Sequence, residues 1–427
     1  MKVLWLTHTA SGASKALNVD DPGRGWIGSL EAHVKKIANV DLAIAFFNNQ
    51  PEFKFALDNV TYYPIPFKYT SLRGKIVQRL FSNLYDSNVE ALKKVIADFQ
   101  PDVIHLFGTE SGIGEVVKFT KIPVVVHLQG LVNPYLYSWL PKGVSQRDIW
   151  KHSSLRAVLL RRGTYFEYKL FQKRAVREQE MIRYAKYYFG RTEWDRNFIK
   201  LHQPECVYIH CEEVLRPVFY RSAWTAPQKG LFKMVTIINP QIYKGIEIIL
   251  ETASILKRIS GLAFQWSVIG LAPDNEIVKL IEGITRKKFS DNHVSFKGSK
   301  VEDALLEEIS TANVFVHPSH IDNSPNSICE AMLLGMPVIA GYVGGIPSLI
   351  SDKVNGILYN SNDPYDLAGK IINLQEQPAL LEKLGSEARK VGMKRHDVET
   401  IVSTVFATYQ SMIENETPVS RDFIKQV

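Results

Sequence analysis

HPSHIDNSPNSICEAMLLGMPVIAGYVGG, residues 317–345, is the stretch whose reading decides the fold. An apolar run ends at His317, a polar loop carries Asp322, and a helix is expected from about Pro325–Ser327 to Leu334. Ser324 or Asn326 serves as its cap and Pro325 sits where a first-turn proline is tolerated. Gly335 stops the helix, and a second apolar run from Pro337 to Ala340 leads into Gly344-Gly345. Strand, loop, helix, strand in this order is one parallel α/β unit. Glu330 is its odd residue. Ile328, Cys329, Ala331, Met332, Leu333 and Leu334 make the helix apolar nearly all round, hence buried. A buried carboxylate needs a partner, either a protein cation or the hydroxyls of a ligand.

The same alternation extends outward. Strands are expected at Phe232–Ile237, Phe264–Ile269, Val294–Lys297 and Val314–His317, with helices at Gly245–Lys257 and Val301–Thr311. The first half carries strands at Val3–Thr7, Asp41–Phe46, Val103–Phe107, Val124–Leu128 and Tyr187–Gly190, and helices near Ser29–Ile37 and Val89–Asp98. Pro217 to Gly230 reads as the linker. A last helix has Val398, Ile401, Val402, Val405, Phe406, Tyr409, Met412 and Ile413 at helical spacing, and its stripe must be buried on one of the halves. The fold class is therefore α/β, two Rossmann-like domains facing across a cleft. Ligands in such sheets sit beyond the carboxyl ends of the strands.

Composition sets wide bounds. With 427 residues, 45% hydrophobic and 22% charged, the chain is an ordinary globular protein of two or three domains. Cys206, Cys211 and Cys329 lie at no metal-type spacing, which fits a reducing compartment and no disulfide framework. The apolar run at Val3–Thr7 is too short for a signal peptide, and no stretch reaches the length of a membrane helix. A cytoplasmic location is expected. The net charge of +7 permits an anionic partner, and it is uneven. Lys142–Lys186 holds twelve Lys/Arg against four Asp/Glu, interleaved with Trp150, Leu155, Leu159, Tyr165, Phe166 and Phe171. Such a mixture suits an anionic membrane face. The alternative is a solvated basic face. No nucleic-acid motif accompanies the charge, so nucleic acid is not expected as a partner.

Asp322-x7-Glu330, followed by Ala331-Met332, Gly335-x-Pro337-Val338-Ile339 and Gly344-Gly345, resembles the retaining glycosyltransferases of family 4, which have the GT-B fold. The resemblance is strongest from about Lys233 to Asn360. It implies domains at 1–220 for the acceptor, with the helix at about 398–427 packing back on it, and at 230–397 for the donor. It implies that Glu330 takes the ribose hydroxyls of a nucleoside diphosphate sugar and that Asp322 lies beside the transferred sugar. The family usually has Glu at this first position, so Asp322 shifts the contact by about one methylene. Lys244, before Gly245, is implied to pair the donor's diphosphate. Where the family usually carries an upstream arginine, this chain has Asn239-Pro240, leaving Arg191 or Arg216 to substitute. Ser324, Asn326 and Ser327 complete the implied donor contacts. Gly344 and Gly345 let backbone amides approach phosphate, a plain tight turn being the alternative.

In the first half, Gly23-Arg24-Gly25-Trp26-Ile27-Gly28 matches a dinucleotide fingerprint but lies about sixteen residues beyond the first strand, too far for that role. By resemblance, Gly25 and Gly28 belong to a loop on the acceptor side. His105, Glu110 and Gln129 lie near strand ends and resemble acceptor-side residues. His127 is assigned with Asp322 to the reacting sugar, against the alternative of a structural histidine.

The activity so implied is transfer of a sugar, with retention, to a saccharide or lipid-linked saccharide in surface polysaccharide synthesis. No Asp-x-Asp triplet occurs, and neither a metal nor a separate cofactor is expected. A UDP-sugar is favoured as donor. The leaving phosphate itself is implied to help deprotonate the acceptor, leaving the enzyme to position and stabilise charge. A sugar-nucleotide epimerase and a non-catalytic partner subunit remain the alternatives on the same fold.

Overall fold

A computed structural model describes residues 1–14, 16–17, 25–48, 53–66, 88–227 and 230–414. The chain divides into two compact units. One comprises Met1–Asn133, Leu170–Leu215 and the segment from His396 onward. The other comprises Pro134–Lys169 and Arg216–Arg395.

The first unit is built on a sheet of β1 (Lys2–Thr7), β2 (Asp41–Phe47), β3 (Phe55–Leu57), β4 (Val60–Ile65), β5 (Val103–Phe107), β6 (Val124–His127), β7 (Tyr187–Gly190) and β8 (Val207–His210). Its order is β3-β4-β2-β1-β5-β6-β7-β8. All neighbours are parallel except the β3–β4 pair. Val3, Leu4, Trp5 and Leu6 are consecutive and fully buried, as expected of a parallel strand covered on both faces. The helix Val398–Ile413 belongs to this unit, where Ile401, Val405, Tyr409 and Met412 join a core with Trp5, Phe107 and Ile44.

The second unit has six parallel strands, β9 (Phe232–Ile237), β10 (Phe264–Ile269), β11 (Val294–Phe296), β12 (Val314–His317), β13 (Val338–Gly341) and β14 (Ile357–Tyr359), in the order β11-β10-β9-β12-β13-β14. The order reverses between β9 and β12. Loops leaving the carboxyl ends of these two strands therefore flank the crevice where such sheets bind ligands.

The unit boundaries differ from the sequence expectation. Pro217–Arg221 is a short helix of the second unit, and Trp224 bonds through its backbone amide to Leu334 and through its indole to Ala312. As far as Trp224, the expected linker is thus packed structure. Residues 134–169, expected with the N-terminal domain, fold onto the second unit. Ser154 bonds Glu276, and Trp139 and Tyr135 pack on Tyr243 with ring centroids 5.0 and 5.2 Å away. The apolar residues of 134–169 find their partners on helices far along the chain, which periodicity cannot show.

Candidate functional site

Gly245 has φ +73°, and a Cβ there would lie 2.1 Å from the Pro318 carbonyl oxygen. Only glycine permits that approach. It presses the turn after β9 against the loop after β12. Lys244 is thereby delivered to Asp322, with Nζ 2.6 Å from Oδ2. The same Oδ2 accepts from His317 Nε2 at 3.0 Å, and Oδ1 accepts from the Tyr135 hydroxyl at 3.3 Å. Gly344 encloses the loop from the other side. Its φ is +49°, a Cβ would meet the Asp322 carbonyl oxygen at 2.1 Å, and the Gly345 amide donates to that oxygen at 2.9 Å. Burial pushes the Asp322 carboxyl upward, but the Lys244 charge and the His317 bond outweigh it and hold it well below the usual carboxylate range. Burial keeps His317 below the ordinary imidazole value, against the pull of Asp322.

Glu330 lies one turn before the end of the helix Asn326–Leu334 and is 4% exposed. Its partner is a protein cation: Arg216 donates Nε to Oε1 and Nη2 to Oε2, both at 2.7 Å. This two-pronged geometry is the strongest form of such a pair. The second unit therefore brings together Lys244, Asp322, Glu330 and Arg216 as two internal ion pairs.

The other expectations resolve differently. Pro325, not Ser324 or Asn326, occupies the cap position of the helix, without a side-chain cap bond. Ser324 is buried with its hydroxyl 3.7 Å from the Cys329 sulfur. Asn326 begins the helix, followed by Ser327. After Gly345 only a three-residue helical turn, Ile346–Ser348, follows. The glycine pair wraps the Asp322 loop, and the Gly345 amide is already bonded to it.

In the first unit, Arg191 is buried, 3.3 Å from Glu213 and stacked 4.5 Å over the Trp26 ring. It is engaged there and does not stand as a spare cation. Gly25 is the cap of the helix Trp26–Val34 and Gly28 lies inside that helix, so neither forms a loop beyond it. Gly23 and Arg24 lie outside the described residues. His105 and His127 are fully buried. Trp5 Nε1 donates to the Tyr409 hydroxyl (3.1 Å), that hydroxyl is 2.5 Å from His105 Nδ1, and His105 Nε2 is 3.2 Å from His127 Nδ1. Burial lowers both histidines well below their ordinary value. They serve as a polar spine of the core, and His127 is not presented to a sugar in this conformation. Glu110 is half-buried, accepting from the Gly130 amide at 2.9 Å with His8 Nε2 at 3.9 Å. Gln129 is half-buried next to that glycine.

His317, Tyr135 and His8 were not singled out by the sequence. A histidine ending a strand five residues before an acidic residue was a readable signal for His317. Tyr135 had none, being 187 residues from its partner.

Two parallel-sheet α/β units, the first completed by the helix Val398–Ile413, define the GT-B fold of glycosyltransferases. Sucrose-phosphate synthase of Thermosynechococcus elongatus superposes with a TM-score of 0.68 at 17% identity, covering 97% of this chain and 100% of that one. HepE of Anabaena, solved in complex with UDP-glucose, superposes at 0.61 and 17% identity, covering 96% and 100%. Residues 226–391 match the family described as "Glycosyl transferases group 1", and this part of the chain is a group 1 glycosyl transferase domain. The amylovoran biosynthesis glycosyltransferase AmsK of Erwinia amylovora is 30% identical over 142 residues, which are 32% of this chain and 34% of AmsK. The chain spans from about a fifth to just over half of the length of the first curated relatives it matches.

Proposed function

We propose that this chain transfers a sugar from a nucleoside diphosphate sugar to a saccharide or lipid-linked saccharide acceptor, with retention, in surface polysaccharide synthesis. The observation that carries the proposal is the Lys244–Asp322 pair, held at the reversal point of the second sheet by Gly245 and Gly344. Lys244 supplies a cation for the donor's diphosphate, and Asp322 an anion for its sugar hydroxyls. Glu330 accepts from the ribose. A uridine donor is supported by HepE, whose structure holds UDP-glucose, and the polysaccharide context by AmsK.

The acceptor side rests on Glu110 and Gln129, joined by His8. Work at the cytoplasmic face of a membrane is supported by residues 142–162. Trp150, Leu155 and Leu159 there are 54%, 75% and 74% exposed, among the exposed Lys142, Arg147, Lys151, Arg156, Arg161 and Arg162. Among the described residues, no helix is long and apolar enough to cross a membrane.

A thermal-shift panel with UDP, GDP, ADP, CDP and NAD on wild type and Lys244→Ala tests the donor reading. A ligand at a hundred times its Kd adds about 2.7 kcal/mol of stability. One diphosphate stabilising wild type but not Lys244→Ala is the expected result. Stabilisation by NAD alone, or by no nucleotide, overturns it.

A further inference from the structure

The carboxylate of Asp322 has three donors of different kinds, and they answer differently when a donor substrate arrives. Lys244 is mobile in principle: its side chain is 14% exposed and ends on four rotatable carbons. On the reading proposed above, it must leave Asp322, at least in part, to face a diphosphate. His317 cannot follow. It closes β12 between β9 and β13, its side chain is 1% exposed, and its Nε2 is committed to Oδ2. Tyr135 reaches only the other oxygen, at the longer distance of 3.3 Å.

The chemistry of the histidine is defined by its neighbours. A carboxylate only accepts, so Nε2 carries the proton and donates. The ring is neutral, since burial and the nearby Lys244 charge both oppose a second proton. The charged or titratable groups around Asp322 are Lys244 from the turn after β9, His317 from β12 and Tyr135 from the helix Val132–Tyr137. Remove the Lys244 charge from this set and burial would drive Asp322 toward its protonated form, unless a strong donor remained. His317 is that donor.

We infer that His317 is a positioning residue that holds Asp322 ionised and aimed while Lys244 exchanges the carboxylate for the donor's diphosphate. The inference rests on the donor reading of Lys244 and Asp322. It predicts a proton signature that mere scaffolding would lack. With His317 present, donor binding leaves Asp322 ionised and takes up no proton at Asp322. Without it, Asp322 protonates as Lys244 departs.

The test is calorimetry of the full chain with UDP-glucose, GDP-glucose and ADP-glucose, using the nucleotide sugar that wild type binds. The titrations run at pH 6 in buffers of different ionisation enthalpy. The diphosphate diester of these ligands does not itself titrate near that pH. Wild type is expected to take up no proton at Asp322. His317→Leu should take up a larger fraction of a proton, rising as the pH falls, and should shift the acid limb of donor hydrolysis to higher pH. His317→Gln, whose amide can still donate, should restore wild-type behaviour if its melting temperature shows it folded. Equal proton uptake in wild type and His317→Leu would overturn the inference while leaving the donor reading intact. Unchanged affinity in Lys244→Ala, or no binding by wild type, would instead remove the donor reading and this inference with it.

Discussion

At the scale of single residues, two glycines and two ion pairs shape the site. Gly344→Ala would put a methyl group 2.1 Å from the Asp322 carbonyl oxygen in a left-handed backbone. The clash is with backbone, which cannot swing aside, so the Asp322 loop must move. We expect Gly344→Ala to cost about 1–3 kcal/mol in urea denaturation and to lower nucleotide-sugar affinity at least tenfold. Normal affinity in a folded variant would contradict the role given to this turn. Arg216→Ala leaves Glu330 buried without its cation, and breaking such a pair from one side costs about 3–5 kcal/mol. Replacing both members together with Met should recover a large part of that loss while still weakening nucleotide binding. Recovery of stability with full affinity would mean that Glu330 has no part in the donor site.

At the scale of elements, the segment Pro134–Lys169 and the helix Val398–Ile413 matter most. The helix enters the first core through Tyr409, whose hydroxyl accepts from Trp5 and meets His105. Tyr409→Phe keeps the ring buried and strands the indole N–H and the imidazole nitrogen. We expect a loss of about 1–3 kcal/mol by urea denaturation, against almost none for the exposed neighbour Gln410→Ala. The segment carries exposed apolar side chains at Trp150, Leu155 and Leu159. Sedimentation with liposomes rich in phosphatidylglycerol should carry the protein down, with phosphatidylcholine alone should not, and Trp150→Ala/Leu155→Ala should abolish the binding. Equal sedimentation of wild type and variant would remove membrane contact through this surface.

At the scale of the whole molecule, pH acts through buried imidazoles. His105, His127 and His317 are all lowered by burial, so the unfolded chain binds protons that the folded one refuses. Their stabilising contribution is present above pH 6.5 and is lost as the pH falls below it. His320 works the other way. Burial disfavours its charge, but Glu247, 2.5 Å away, prevails and raises it. Its contribution is present below pH 6.5 and fades as the pH rises through its raised value. Three against one, the melting temperature should fall from pH 7 to pH 5. A flat or rising profile would mean that these imidazoles are not neutral in the fold.

Much of this was legible in the amino-acid order. Runs such as Val314–His317 and Phe232–Ile237 are apolar because both faces of a parallel sheet are covered, so the strands could be read without partners. Four strands escaped notice for local reasons: Val60–Ile65 contains Pro64, while Phe55–Leu57, Val207–His210 and Ile357–Tyr359 are short. Glu330 was visible because charge amid apolar residues demands a partner, and Asp322 and Lys244 because of their places in the resembling family's pattern. Which partner it was, only the folded chain decided. Arg216 reaches Glu330 across 114 residues, Tyr135 reaches Asp322 across 187, and Tyr409 reaches His105 across 304. Periodicity and capping act over one or two turns, whereas these contacts are made when separate elements close on a common core. Sequence alone determined the alternating α/β architecture and the residues that had to be paired. Tertiary packing alone decided the pairs, because a buried charge takes whichever partner the assembled elements bring within bonding distance.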